Sequence, residues 1–155
     1  MERKIIGFKL DAAGDWTAML DCGHPQHTRH RPPFENRAWV MTQDGRDSML
    51  GQVLNCVRCE EFELPADFVK CKVTPEFTES TMPAGLRGQH YTSSGVWGKI
   101  VVLEGRLLYC VPSKNIALEL DSSSPGIVVP ELPHHVEPQG SVRFMVEFYK
   151  AALPG

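Results

Sequence analysis

Apolar residues in this chain mostly alternate with polar or small ones and seldom recur at helical spacing. Ile6, Phe8 and Leu10 alternate with Gly7 and Lys9, and Trp16, Ala18 and Leu20 resume the alternation after Asp11-Ala12-Ala13-Gly14-Asp15. This pattern predicts a β-hairpin whose second strand delivers Cys22. Pro25, Pro32 and Pro33 argue against a long helix in the segment that follows. Trp39-Val40-Met41 reads as a further strand and Gly45 as the opening of a turn. Ser48 to Glu60 carries two patterns. Leu50, Val53, Leu54 and Val57 fit a helical face, whereas Gly51, Val53, Asn55 and then Cys56 fit a strand running into a metal knuckle; the strand is favoured.

Glu60-Glu61-Phe62-Glu63-Leu64-Pro65 has the charge and proline of a connection, which predicts two units, 1–64 and 65–155. From Val69 onward every apolar run is short. Trp97 to Leu103 predicts a strand, Glu104-Gly105 a turn, and Leu107 to Val111 the returning strand. Ile116 to Leu120 and Ile127 to Val129 follow. Val142, Phe144, Val146 and Phe148 then alternate with Arg143, Met145, Glu147 and Tyr149. Thirteen glycines and twelve prolines cut the chain into pieces of this length. The expectation is a mostly β protein, a sandwich or small barrel in its second part.

Composition narrows the classes. A hydrophobic share of 42% and a charged share of 23% are those of a globular protein. The net charge of -3 argues against a nucleic-acid or anionic-membrane binder. No apolar run approaches ~18 residues, so no membrane span is expected, and the start of the chain does not read as a secretory signal. The five cysteines are odd in number, and three of them stand at ligand spacing. A reducing cytoplasm fits this better than a disulfide framework. Cys71 and Cys110 are expected to be small buried residues.

The candidate chemistry begins with Cys22-Gly23-His24-Pro25-Gln26-His27-Thr28-Arg29-His30 and Cys56-Val57-Arg58-Cys59. A Cys-x-x-Cys pair puts two sulfurs one tight turn apart, and Cys22 with a nearby imidazole completes four donors suited to tetrahedral Zn²⁺. The fourth ligand is His24, with His27 or His30 as alternatives. Four protein ligands make a closed, structural site; an open position would make it catalytic. Without a βαβ context, a thioredoxin-like role for the Cys pair is disfavoured. Arg29, Arg31 and Arg37 form a basic stretch beside Pro32-Pro33, read as a solvated loop.

The segment from His90-Tyr91-Thr92-Ser93-Ser94-Gly95-Val96-Trp97 to Leu107 resembles the first motif of small cupins. More narrowly, it resembles the double-stranded β-helix family related to tellurite-resistance proteins B. Pro130 to Pro138, with Val142 to Tyr149, is similar to that family's second motif and closing strand. The resemblance runs from about Val69 onward. It implies a cupin barrel with a pocket for metal or ligand at His90, Thr92 and His134, with His135 as the rival of His134. Thr92 stands where the common motif has a second histidine, and the carboxylate position falls near Val96 or Trp97. A second divalent metal would therefore need help from Glu104, Glu137 or water. The N-terminal part, through Trp16, Cys22-Gly23-His24, Gln26-His27, Arg29-His30, Pro32-Pro33, Arg37, Trp39, Gly51 and Cys56-x-x-Cys59, resembles an uncharacterised bacterial family sometimes labelled pressure-regulated.

These readings imply a zinc-ribbon-like module followed by a cupin barrel. The leading function is binding or sensing of a small molecule or oxyanion in a tellurite-resistance or stress role. A metal-dependent enzyme using His90 and His134 is the alternative. A third is an interaction protein docking through Trp16, Trp39 and the Arg/His stretch. Small cupins often pair across an exposed sheet, which makes a homodimer an expectation.

Overall fold

In the computed structural model, which describes residues 1–153, strand outweighs helix by 47% to 13%. The chain divides into two compact units, Met1–Pro65 and Ala66–Gly155, each with its own sheet.

The alternation at the start of the chain does make a hairpin. β1 (Glu2–Leu10) pairs antiparallel with β2 (Trp16–Leu20), from Leu10 opposite Trp16 to Ile5 opposite Leu20. The Asp11 carboxylate closes the turn by accepting the Ala13 and Asp15 N–H groups, each at 2.9 Å. β3 (Pro25–His27) then pairs with β2, and β4 (Val53–Asn55) with the other side of β1. A register shift between Ile5 and Gly7 changes which face points inward. Arg3 and Ile5 are buried, while Ile6 and Leu10 are exposed. The row Ile6, Phe8, Leu10 is therefore not the inner row that simple alternation suggests.

Trp39-Val40-Met41 is not a strand. Ala38–Met41 is a 3₁₀ turn leading into α1 (Gln43–Ser48). Thr42 caps that helix through its hydroxyl, 3.0 Å from the Gly45 N–H. The Val40 carbonyl, which a β ladder would use, accepts instead from the buried Arg46 guanidinium at 2.7 Å. Gly45 lies inside the helix rather than at a turn; a Cβ there would sit 2.1 Å from the Trp39 carbonyl oxygen. Within 48–60 the strand pattern is realised over Val53–Asn55, and α2 (Val57–Glu60) follows Cys56 directly.

In the second unit the strands are β5 (Val69–Val73), β6 (Phe77–Thr78), β7 (Trp97–Val111), β8 (Ile116–Leu120), β9 (Gly126–Val128) and β10 (His135–Lys150). The order β5-β10-β7-β8 forms the main path, with β6 on β10 and β9 on β7. Glu104-Gly105 does not reverse the chain. β7 continues through it as one strand of 15 residues, and β10 runs antiparallel along both halves. Gly105 takes φ 76°, and the inward parity changes there. Ile100 and Val102 are buried before it, and Leu107, Tyr109 and Val111 after it. The glycine thus lets one long strand keep an apolar face through a bend. Leu107 to Val111 finds its antiparallel neighbours in β8 and in His135 to Pro138, not in Trp97 to Leu103.

Neither spare cysteine is buried. Cys71 is exposed on β5, and Cys110 is half-buried on the face of β7 opposite Tyr109 and Val111. Among the described residues no helix is long and apolar enough to cross a membrane.

A methyl group at Gly105 would lie 2.0 Å from the Ser141 carbonyl oxygen, whereas Gly140, at φ 78°, has open space around it. Gly140→Ala is expected to lower stability by about 1 kcal/mol, for backbone conformation alone. Gly105→Ala is expected to cost about 3 kcal/mol or more, adding a steric clash. Urea denaturation of the two variants checks this; equal losses would contradict it.

Candidate functional site

Two sites take shape, one in each unit. In the first, Leu20 and His24 close a tight turn after β2, with the Gly23 N–H on the Leu20 carbonyl at 2.9 Å and the Leu20 N–H on the His24 carbonyl at 3.1 Å. Gly23 takes φ 96°, a conformation that suits glycine. That local turn is how two ligand side chains only two residues apart converge on one point. From the other side, Cys56 follows the last residue of β4 and caps α2, whose single turn brings Cys59 alongside it.

The four donor atoms of Cys22, His24, Cys56 and Cys59 lie within 4.8 Å of one another, and all four residues are buried. His24 Nδ1 is 3.5 Å from Cys22 Sγ, 3.4 Å from Cys56 Sγ and 3.7 Å from Cys59 Sγ. Cys22 and Cys56 sulfurs are 3.9 Å apart, far beyond a disulfide bond. His24 Nε2 lies 2.7 Å from the Glu63 carbonyl oxygen. A carbonyl only accepts, so Nε2 carries the proton and Nδ1 turns its lone pair to the three sulfurs. This donor set can hold a metal ion.

The electrostatics point the same way. Hydrogen bonding from Cys59 holds the Cys22 thiol below its usual range, against the effect of burial. The same hydrogen bond, burial and the Cys22 charge push Cys59 up. Burial also raises Cys56. Protein groups alone therefore favour one thiolate at the expense of its neighbours. A divalent ion would stabilise all three, leaving one net negative charge. The Arg3 guanidinium, buried on β1, favours ionisation of Cys59 and would offset that charge.

His27 and His30 lie elsewhere. The His27 ring is exposed, with Nδ1 3.7 Å from the Asp11 carboxylate. His30 Nδ1 accepts the Arg37 N–H at 2.9 Å. Arg29 and Arg31 both turn to Asp15, at 3.2 and 3.6 Å.

In the second unit a cavity of about 340 Å³ is lined by His90, Thr92 and His134 together with an apolar wall that includes Phe77, Phe144 and Phe148. Backbone pairing sets the two histidines. Each donates its N–H to the other's carbonyl at 2.9 Å, and the Glu131 N–H bonds the Thr92 carbonyl at 2.9 Å. Their rings stand 4.2 Å apart between centroids. His90 Nδ1 lies 2.9 Å from the Gly88 carbonyl oxygen, and His134 Nδ1 lies 3.1 Å from that of Leu132. By the same tautomer argument both Nε2 atoms are lone-pair acceptors. Thr92 gives its hydroxyl proton to the Val96 carbonyl at 2.6 Å. Glu104 pairs with Arg143 at 3.5 Å, and Glu137 lies 3.6 Å from His135. His135 is the first residue of β10 and is absent from the cavity lining, so His134 holds the pocket position.

Comparisons with known proteins bear on each unit. Residues 6–63 match the model of a family described only as a protein of unknown function (DUF3565). Residues 72–146 match the TehB-like domain. A crystal structure of an E. coli (strain K12) protein resembles this chain with a TM-score of 0.55 and 20% identity, over 60% of this chain and 91% of that one. TehB from Haemophilus influenzae resembles it with a TM-score of 0.51 and 24% identity, over 56% of this chain and 32% of that protein. At these identities the likeness is one of fold. Among curated proteins none matches.

Several functional groups carried no signal in the sequence. The Glu63 carbonyl that orients His24 is backbone and leaves no trace. Phe144 and Phe148 were legible as strand residues but not as the wall of a cavity. Phe77, on a two-residue strand after Pro75, offered no pattern.

Burial pushes the His134 imidazole in the second unit from 6.5 down to about 4. A lowered histidine pKa means that the unfolded chain binds the proton first. Its contribution is complete above about pH 6.5 and is lost as pH falls toward 4. Between pH 7.5 and 5 the loss is expected to be about 2 kcal/mol. Ring nitrogen shifts should show His134 still neutral at pH 5, and His134→Gln should flatten the stability profile measured at the Trp97 indole. Titration near pH 6.5 would contradict this.

Proposed function

We propose that this is a small-molecule-binding protein related to tellurite resistance, with its ligand in the C-terminal pocket and its N-terminal unit held by structural zinc. The observation that carries the ligand site is the cavity with two fixed imidazoles on a mostly apolar wall, the usual composition of a small-molecule pocket. The match of residues 72–146 to the TehB-like domain supports the tellurite-resistance relation. We read the sheet of this unit as a cupin-like barrel. β7 and β10, bent at Gly105 and Gly140, support that reading, since each extends well beyond an ordinary strand.

For the N-terminal unit, a tetrahedral zinc ion implies sulfur-to-sulfur edges of about 3.8 Å and sulfur-to-nitrogen edges of about 3.5 Å. The separations of 3.9 Å and 3.4 to 3.7 Å fit that figure. Four protein donors close the shell, so the ion is structural. A unit of this size gains much of its folding free energy from such a metal. Three reduced thiols belong in a reducing compartment such as the cytoplasm.

A second reading has one supporting observation. Both pocket histidines donate Nδ1–H to a carbonyl, the arrangement common behind metal-bound imidazole, so a divalent ion at both Nε2 atoms would serve a metal-dependent enzyme.

Elemental mass spectrometry on protein purified without chelator is expected to give one zinc per chain, lost in Cys56→Ser and retained in His90→Ala. A second metal lost in His90→Ala would favour the enzyme reading, and a metal-free wild type would overturn the zinc assignment. Small-fragment titrations should move the methyl resonances of Ile100, Val128, Val136 and Val146 saturably, leaving those of the first unit in place. Fragments that leave these methyls unmoved would count against the pocket.

A further inference from the structure

We infer that the metal-free pocket of the second unit takes a neutral, mostly apolar molecule that donates a hydrogen bond, such as a phenol or alcohol, and turns oxyanions away. This deepens the ligand-pocket reading above and rests on it.

The inference comes from where the protons are. Backbone carbonyls of Gly88 and Leu132 fix the proton of each ring on Nδ1. In a neutral imidazole the other nitrogen then only accepts. His134 is buried, and among the described residues neither Nε2 has a hydrogen-bond partner. Thr92 gives its hydroxyl proton to the Val96 carbonyl and has none left to offer a ligand. The polar groups around the histidine pair are thus acceptors side by side, with ring centroids 4.2 Å apart.

The rest of the lining sharpens the choice. Phe77, Phe144 and Phe148, with Ile100 and Val128, give an apolar wall. An oxyanion placed there would lose its hydration and meet two lone pairs. A hydroxyl on an apolar body would satisfy one or both. The cationic group of the lining, Lys72, lies on β5, whose residues are all exposed. Its ammonium is hydrated and does not reverse the character of the buried wall. Thr74 spends its hydroxyl proton on the Pro75 carbonyl at 3.0 Å, and Tyr91, the remaining donor of the lining, is exposed. About 340 Å³ suits a molecule built on a single ring.

The experiment uses the full chain, with one zinc per chain verified by elemental analysis, and probes of matched shape. Phenol, anisole, benzoate and tellurite are titrated separately, following the ring nitrogens of His90 and His134 and the cavity methyls. Phenol donates a hydrogen bond; anisole, of similar shape, cannot. Phenol is expected to bind about ten-fold tighter than anisole and to shift an Nε2 resonance. Benzoate and tellurite are expected to leave both rings unmoved. Anisole binding as tightly as phenol would overturn the inference while leaving the pocket reading intact, and so would displacement of phenol by benzoate or tellurite. Failure of every probe to move the cavity resonances would overturn the pocket reading and the inference with it.

Discussion

Three thiols and an imidazole packed within 4.8 Å, out of contact with water, are the constraint on which the N-terminal unit depends. Such a group does not gather for apolar burial alone. Each thiolate opposes the next, and each unpaired thiol is a poor hydrogen-bond partner. A divalent cation would turn that opposition into mutual support. It would join the turn after β2 to the end of β4 and the start of α2, segments separated by more than thirty residues in the chain. The hairpin, the glycine turn, the Glu63 carbonyl and the buried Arg3 then each serve the same centre. One delivers ligands, one lets them converge, one orients a ring and one offsets a charge.

The second unit reaches its site by a different physical route. There the histidines are set by main-chain hydrogen bonds, because the segment around His90 pairs with the segment that leads into β10. Further carbonyls fix the tautomers. The wall behind the rings comes from inward residues of the long strands, and the bend at Gly105 keeps those residues inward along the length of β7. A strand pair that turned back at Gly105 would remove the partner of His135 to Pro138 and disturb the approach to His134. The placing of the two rings in this unit therefore depends on a backbone conformation some distance from them.

Much of this was legible in the sequence, for identifiable reasons. Period-two alternation located the first hairpin and the strand through Val142 to Tyr149, although in β1 the buried row is Arg3 and Ile5 rather than Ile6, Phe8 and Leu10. Cysteine spacing pointed to Cys22, Cys56 and Cys59, since few other chemistries ask for that pattern. His24 stood in the sequence with two rivals, and the choice rests on the Gly23 turn, which periodicity does not encode. Trp39 to Met41 looked like a strand by composition; a threonine cap and a buried arginine made it a turn into a helix. Glu104-Gly105 looked like a hairpin turn, because a glycine at positive φ marks a bulge as readily as a reversal. The pocket wall was hidden because it forms from strands distant in sequence.

The most direct test of the central claim is X-ray absorption at the zinc edge of the purified full chain. The account predicts a four-coordinate shell of three sulfurs at about 2.3 Å and one imidazole nitrogen at about 2.0 Å. A shell dominated by oxygen and nitrogen, or protein that is folded in its first unit yet holds no zinc, would contradict it.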